Sequence, residues 1–291
     1  MPRVGETVRN RLSADLDHLT ATLSPRVGRG SRAMGWLRAL RKALPVAVQD
    51  DVLVRVLAEF ARLWPKVAFI QIGANDGNKG DYLQDYVRSG DWWGVLVEPI
   101  PEVFASLADR YGTNPRLRLV NAAITDHDGQ ASLYYIPRQQ GQELPDWYDA
   151  LATFRKDVLL KHEEWIPDID ARIGTIDVQA MTFETFCNSY GVTQIDLIQI
   201  DTEGYDYEII KQIDLNILLP AVVLYEHLHL DPKDRTECEK RFERAGYVLA
   251  SNYMDTLAVR LNDEDRRSRR LAGLLEVLDD EGFALRRGHE D

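Results

Sequence analysis

Cysteine is scarce in this chain of 291 residues, which contains only Cys187 and Cys238. A disulfide framework therefore cannot hold the fold together, and the pair does not have the spacing of metal ligands. Long apolar runs are also missing, since stretches such as 217–225 fall far short of the ~20 residues that cross a bilayer. The first residues carry frequent charges and no signal-peptide core, so we expect a cytoplasmic protein without a transmembrane segment.

Positive charge is in deficit, because 35 Lys and Arg stand against 47 Asp and Glu and give a net charge of −12. This balance opposes the neutralisation of phosphates, so we expect no nucleic-acid partner. Residues 1–45 differ, with nine basic and three acidic residues. This basic segment could contact acidic lipid or another protein, although a solvated helical lead-in that packs on the same core is the favoured interpretation.

Short apolar runs alternate with helical patterns through most of the chain. A helical pattern behind Asp50 and Asp51 comes first, and two late runs, 247–250 and 256–261, are joined by a loop too short for a crossover helix. Those two runs are expected to pair antiparallel. The other runs are 67–72, 92–97, 117–120, 195–200 and 221–225. Strands that are apolar on both faces and alternate with helices predict a parallel sheet covered on both sides.

The same alternation of apolar runs and helical patterns divides the chain into three predicted parts. Residues 1–65 form a helical N-terminal extension, residues 66–262 an α/β domain and residues 263–291 a helical tail. Within the domain, the alternating run 131–136 predicts a small hairpin, and the insertion 137–177 is rich in proline and aromatic residues. Insertions of this length usually serve a binding site, on the substrate side in this interpretation. The alternative is an ordinary subdomain with the aromatic residues in its own core.

A glycine turn directly follows the first predicted strand, in the sequence IQIGANDG at 70–77. Gly73 and Gly77 allow the backbone to approach a ligand closely, although the G-x-G-x-x-G dinucleotide fingerprint is missing. Glu98 ends the second strand, about 20 residues after the loop, where a Rossmann-like site places the acid that binds a ribose diol. Singly, these features fit an ordinary turn and a helix cap. Together they predict a nucleoside cofactor.

With these motifs the chain resembles the FkbM-type S-adenosylmethionine-dependent methyltransferases. The resemblance covers about residues 67–261 and also rests on LVEPIPEVF (96–104), NAAI (121–124), IDLIQIDTEGYDYEII (195–210) and DTLAV (255–259). It implies a Rossmann-like class I methyltransferase fold, α/β, with a mostly parallel seven-stranded sheet in the order 3-2-1-4-5-7-6 and an antiparallel last strand. It also implies an O-methyltransferase that acts on a hydroxyl of a sugar, glycan, glycolipid or secondary metabolite.

The resemblance further implies which residues bind S-adenosylmethionine: the glycine loop its methionine end, Glu98 the ribose and residues 122–124 the adenine. Gln71 replaces an acid that is common in this class, which leaves open how the methionine ammonium is bound. Acids near the loop would repel a pyrophosphate but not a sulfonium cation. The predicted cofactor residues are Gln71, Gly73, Ala74, Asn75, Asp76, Gly77, Glu98, Pro99, Ala122, Ala123, Ile124 and Asp201.

Carboxylates and imidazoles follow the fourth and fifth predicted strands. Asp201 ends the fourth, and Glu226, His227 and His229 end the fifth. Because ligands bind at the carboxyl edge of parallel strands, these side chains are candidates for catalysis. Methylation of a hydroxyl requires removal of its proton, and His227 is the first candidate for the base, with His229 second. The alternative is that both histidines are partly buried structural groups.

A divalent ion is a second hypothesis for the same edge. The candidate ligands Asp201, Glu226 and His227 resemble the site of catechol-type O-methyltransferases, and Mg²⁺ prefers oxygen ligands. In the alternative, Asp201 only orients the reactive methyl group and Glu203 only caps the following helix. A nicotinamide-dependent oxidoreductase, disfavoured by the missing third glycine, and a non-catalytic module of methyltransferase fold are the rival functions. A homo-oligomer is compatible with the sequence.

Overall fold

The computed structural model describes residues 52–78, 81–89, 91–137, 148, 151–262, 264–280 and 285–287. The basic segment 1–45 lies outside these residues. The described helices are α1 (Val52–Leu63), α2 (Gln84–Ser89), α3 (Pro101–Tyr111), α4 (Lys156–Leu160), α5 (Ile169–Arg172), α6 (Phe183–Tyr190), α7 (Asp206–Ile210), α8 (Pro232–Arg244) and α9 (Arg266–Asp280). The described strands are β1 (Ala68–Ile72), β2 (Trp93–Val97), β3 (Leu117–Val120), β4 (Ala123–Ile124), β5 (Gly129–Tyr135), β6 (Ala152–Thr153), β7 (Gly174–Met181), β8 (Leu197–Ile200), β9 (Val222–Glu226), β10 (Tyr247–Ser251), β11 (Asp255–Arg260) and β12 (Leu285–Arg287).

The larger sheet has the strand order β12-β10-β11-β9-β8-β1-β2-β3. Within this sheet, the five neighbouring strands β3, β2, β1, β8 and β9 pair in parallel. Strand β11 runs antiparallel to both of its neighbours, β9 and β10. Without β12 this is the order 3-2-1-4-5-7-6, so the Rossmann-like methyltransferase architecture is confirmed, as is the antiparallel pairing of the two late strands. The sheet has one strand more than predicted. In the tail that was expected to be helical, β12 follows α9 and pairs antiparallel with β10.

Apolar side chains cover both faces of this sheet. Along β8, Leu197 faces a layer formed by α1, α2, α3 and α9, whereas Ile198 faces a layer formed by α6, α7 and α8. The helix predicted behind Asp51 is confirmed as α1, because its buried residues recur at the spacing of one helix face. None of the described helices is long and apolar enough to cross a bilayer.

A second sheet of four strands, in the order β4-β7-β5-β6, lies between β3 and α6 in the chain. The predicted hairpin at 131–136 is not formed, since β5 pairs antiparallel with β7, which begins at the end of the insertion 137–177. The described part of the insertion contains β6, α4, α5 and the start of β7. Its Tyr148 and Trp165 pack against buried aliphatic residues such as Leu159, as expected of a subdomain with its own core.

Candidate active site

The loop after β1 is held between the ends of β2 and β8. The backbone N–H groups of Gly73 and Ala74 donate to the carbonyl oxygen of Val97 at 3.0 and 2.9 Å. Gly73 has a φ of +81°, and a Cβ at this position would lie 1.8 Å from the backbone oxygen of Asp201. Glycine is therefore required at position 73 both by the left-handed backbone and by the close approach of β8.

Glu98 follows β2 and is buried beside the same loop. Its Oε2 accepts a hydrogen bond from the backbone N–H of Asn75 at 3.0 Å, and its Oε1 accepts one from Ile100 at 2.8 Å. Burial, with a smaller contribution from Asp76, raises the pKa of Glu98 to about 7, and these two hydrogen bonds offset part of the rise. Each carboxylate oxygen can accept more than one hydrogen bond, so Glu98 is able to receive two hydroxyl donors.

The remaining predicted cofactor residues of this region lie near Glu98. Asn121 donates from Nδ2 to the backbone oxygens of Glu98 and Pro99 at 2.8 and 3.0 Å, which ties the start of 122–124 to the end of β2. Residues 122–124 are buried, and the side chain of Ile124 belongs to the core behind the sheet. The structure thus brings the predicted loop, ribose and adenine residues to one edge of the sheet.

Two glutamines lie opposite each other on β1 and β8, one level below that edge. Gln71 and Gln199 are register partners, and both side chains are buried. Among the described residues, the Oε1 atoms of both have no hydrogen-bond partner. Buried carbonyl oxygens without a donor lower stability, so an additional hydrogen-bond donor at this place would be favourable. Sequence reasoning singled out Gln71 but missed Gln199.

Two carboxylates and one imidazole converge beyond β8 and β9, and we name Glu203, Glu226 and His229 the edge cluster. Nε2 of His229 lies 3.3 Å from Oε2 of Glu203 and 3.7 Å from Oε1 of Glu226. One ligand atom from each of the three lies within 4.8 Å of the other two. Burial raises the pKa of Glu226 well above its ordinary range, and the nearby carboxylates of Glu203 and Asp201 raise it further.

The structure does not bring the predicted metal ligands Asp201, Glu226 and His227 together, because the edge cluster contains neither Asp201 nor His227. Nδ1 of His227 instead lies 2.9 Å from Oγ1 of Thr256 on β11. Burial lowers the pKa of His227 to about 4, and Arg235 contributes to this lowering. His227 is thus a buried group whose imidazole contacts the neighbouring strand and is neutral at pH 7.

Asp206 positions the edge cluster, and sequence reasoning missed it. This buried residue at the start of α7 accepts hydrogen bonds from the backbone N–H of Glu226 at 3.2 Å and from Oγ1 of Thr202 at 3.0 Å. Burial raises its pKa to about 8, with a further contribution from Asp201. Asp206 connects the loop after β8 to the end of β9. The one feature of the sequence that could have identified Asp206 is its position within the motif 195–210.

The insertion packs against the same edge of the sheet. Oγ1 of Thr153 donates to the backbone oxygen of Glu203 at 2.7 Å, and the ring of His162 lies 5.6 Å from the ring of His229. The rings of Phe154 and Tyr205 are 4.6 Å apart. The insertion therefore borders the edge cluster directly.

This sheet order, with a glycine loop after β1, an acid after β2 and acids after β8 and β9, defines a Rossmann-like methyltransferase. The sequence model of the FkbM methyltransferase domain matches residues 71–249, and the chain belongs to this family. Membership implies the use of S-adenosylmethionine and favours a methyltransferase over the rival oxidoreductase.

Individual relatives are distant. The 2-O-methyltransferase NoeI of Sinorhizobium fredii (strain NBRC 101917 / NGR234) is 25% identical over 147 residues, which are 50% of this chain and 57% of that protein. The chain thus spans less than two thirds of this relative. Among solved structures, the methyltransferase FkbM from Methylobacillus flagellatus KT aligns with a TM-score of 0.43 and 11% identity, over 67% of this chain and 44% of that chain. A methyltransferase from Geobacter sulfurreducens aligns with a TM-score of 0.39 and 10% identity, over 87% and 96%.

Proposed function

We propose that the protein is an O-methyltransferase that acts on a hydroxyl of a sugar, glycan, glycolipid or secondary metabolite. The observation that carries this proposal is the edge cluster, which lies at the same edge of the sheet as Glu98 and is bordered by an aromatic insertion. The name of the 25% identical relative, a 2-O-methyltransferase, supports oxygen as the accepting atom. S-adenosylmethionine, when bound, supplies a methyl group activated by its sulfonium charge.

The residues near the loop after β1 fit that cofactor. The carboxylate of Glu98 would accept hydrogen bonds from both ribose hydroxyls. The unpartnered oxygens of Gln71 and Gln199 would offer acceptors to the methionine ammonium group, in place of the acid that Gln71 replaces. Asp76 and its neighbours make the loop favourable for a cation and unfavourable for a pyrophosphate.

We assign the removal of the acceptor's proton to the edge cluster. Within the cluster, His229 replaces His227 as the candidate base. The two carboxylates beside His229 stabilise a positive charge that develops there. Asp201 is assigned the orientation of the reacting methyl group. In the insertion, Phe154, whose ring lies 4.6 Å from that of Tyr205, would provide a flat apolar surface to a sugar ring. General-base assistance of this kind contributes ~10²- to 10⁴-fold in rate.

Product analysis tests the assignment of an oxygen acceptor. The purified protein is incubated with S-adenosylmethionine and a panel of mono- and oligosaccharides, glycolipids and hydroxylated metabolites. We expect the demethylated cofactor to form only with certain acceptors, together with an O-methyl product. Deoxy analogues that lack the methylated hydroxyl are the matched controls and should be inert. A product methylated on nitrogen or carbon would contradict the proposal.

Replacement of Glu98 by glutamine should weaken the binding of S-adenosylmethionine by at least tenfold. The reason is that charge-assisted hydrogen bonds are worth ~1.5–3 kcal/mol each, and an amide cannot accept at both of its ends. Isothermal titration calorimetry measures the affinity. Glu102→Gln, at an exposed acid on α3, is the control and should bind normally. Equal affinity of Glu98→Gln and the wild type would remove the ribose assignment.

The affinity for the nucleoside should also depend on pH. The ribose hydroxyls bind best to the ionised carboxylate, and the pKa of Glu98 is about 7 before the ligand binds. Binding should therefore strengthen by about tenfold from pH 6 to pH 8 and then level off. Methylthioadenosine is the appropriate probe, because it has the ribose and adenine but no amino acid group of its own to titrate. Glu98→Gln should show no such rise, and a flat profile in the wild type would contradict the assignment.

A further inference from the structure

We propose that the edge cluster of Glu203, Glu226 and His229 binds one divalent transition-metal ion, with Mn²⁺ and Zn²⁺ as the matching chemistry. The ligand set differs from the one that sequence spacing suggested, since Glu203 and His229 replace Asp201 and His227. The family match and the relatives named above assign no metal to these residues.

The distances within the cluster favour a shared ion over a direct ion pair. A charge-assisted hydrogen bond between imidazole and carboxylate closes to ~2.7–2.9 Å. Here Nε2 of His229 lies 3.3 Å from Glu203 and 3.7 Å from Glu226. Ligand atoms bound at ~2.1 Å to one tetrahedral ion are separated by roughly 3.4 Å. The two distances from His229 are therefore close to the separation of ligands on one ion, and a ligand oxygen of Glu203 lies within 4.8 Å of one of Glu226.

The burial of Glu226 points independently to a ligand. This residue is 2% exposed, and its Oε2 atom has no hydrogen-bond partner in the described part of the chain. A buried carboxylate is strongly unfavourable unless a cation or hydrogen-bond donors compensate for its charge. Within 4.0 Å, the described part of the chain offers Glu226 only the imidazole of His229 as an ionic partner. A divalent cation at the cluster would supply the missing compensation.

The kind of ion follows from the ligand types. Mg²⁺ and Ca²⁺ prefer sites made of oxygen atoms, whereas one imidazole with two carboxylates suits Mn²⁺, Fe²⁺ or Zn²⁺. Three protein ligands also leave a coordination position open, which is typical of catalytic rather than structural sites. An acceptor hydroxyl bound there would lose its proton more readily, and with the ion bound this effect would replace the general-base role of the His229 imidazole. This last role rests on the proposed function, whereas the metal site itself does not.

Metal binding to the full chain tests the proposal without any assay of activity. The protein is treated with a chelator, dialysed and titrated with Mn²⁺, while the electron paramagnetic resonance signal of the free ion reports binding. We expect one ion per chain in the wild type and at least tenfold weaker binding in Glu226→Gln and in His229→Asn. Glu239→Gln is the matched control, because Glu239 is a buried acid paired with Arg235 outside the cluster. It should bind Mn²⁺ normally.

Melting temperatures show whether each variant is folded. Mn²⁺ well above its dissociation constant should raise the melting temperature of the wild type by roughly 5 °C and leave that of Glu226→Gln unchanged. The proposal is overturned if wild-type protein binds neither Mn²⁺ nor Zn²⁺ below millimolar concentrations, or if Glu226→Gln binds as tightly as the wild type. Ion binding without methyl transfer to any acceptor would refute the proposed function but keep the site. Full methyl transfer in excess chelator, with no ion bound, would refute the metal site but keep the proposed function.

Discussion

Replacing His229 with alanine is expected to lower the turnover number by about 10²- to 10⁴-fold, because the variant loses the only imidazole of the edge cluster. The affinity for S-adenosylmethionine should stay nearly unchanged. His229 follows β9, whereas the binding of the nucleoside is assigned to Glu98, which follows β2. Steady-state kinetics and calorimetry on the same preparation measure the two quantities. A high concentration of metal should restore part of the activity if the two remaining carboxylates still hold an ion.

His227→Ala is the matched control for this prediction. His227 is held at Thr256 and has a pKa of about 4, so we expect a turnover number close to that of the wild type per folded molecule. The variant should nevertheless lose ~0.5–1.5 kcal/mol of unfolding free energy, because the hydrogen bond to Thr256 is lost while Ser251 still bonds to Thr256. If His227→Ala lost more turnover than His229→Ala, the sequence-based choice of His227 as the base would be correct and the assignment to the edge cluster would fail.

Gly73→Ala should lower the free energy of unfolding by about 2–6 kcal/mol. A left-handed backbone costs a residue with a Cβ ~1–3 kcal/mol, and relief of an overlap in a packed region costs a similar amount. The overlap is severe here, because the new Cβ would meet the backbone oxygen of Asp201 at 1.8 Å. Movement of the loop would also displace Asn75 from Glu98, so cofactor affinity should fall by more than tenfold. Urea denaturation and calorimetry measure both effects.

Gly191→Ala separates the two causes. Gly191 ends α6 with a φ of +65°, and a Cβ there would meet nothing within 4 Å. This variant should therefore lose only about 1 kcal/mol, the cost of the backbone conformation, and should bind the cofactor normally. Equal destabilisation by the two substitutions would show that the close approach of β8 to Gly73 has no energetic consequence.

Local patterns in the sequence were sufficient to locate the strands of the main sheet, but not to order them. Apolar runs such as 195–200 become strands buried on both faces, because each face needs a cover and the run supplies side chains to both. The antiparallel pairing of β10 and β11 followed from the length of their loop. The strand order came from the family resemblance and was confirmed. The domain bounds 66–262 and the substrate-side role of 137–177 stay predictions.

Pairing between distant segments was not available from such patterns. The run 131–136 looked like a hairpin because its partner, β7, begins only at the end of the insertion, and alternation shows only that a strand exists. The short strand β12 has two arginines among its three residues and therefore lacks the apolar signal of a buried strand. Strand β12 pairs with β10 because the chain after α9 returns to the edge of the sheet that β10 forms.

The sequence by itself determined that acids and histidines follow the fourth and fifth strands, and tertiary structure alone decided which of them meet. Spacing favoured Asp201 and His227, but side-chain direction after a strand depends on the backbone of the loop. Glu203 has a φ of +53°, and a Cβ on the following Gly204 would lie 3.1 Å from the backbone oxygen of His229. The two loops thus approach closely at Gly204, next to the place where Glu203 and His229 meet Glu226. The order of residues along the chain contains no signal for this approach, because it exists only after β8 and β9 have paired.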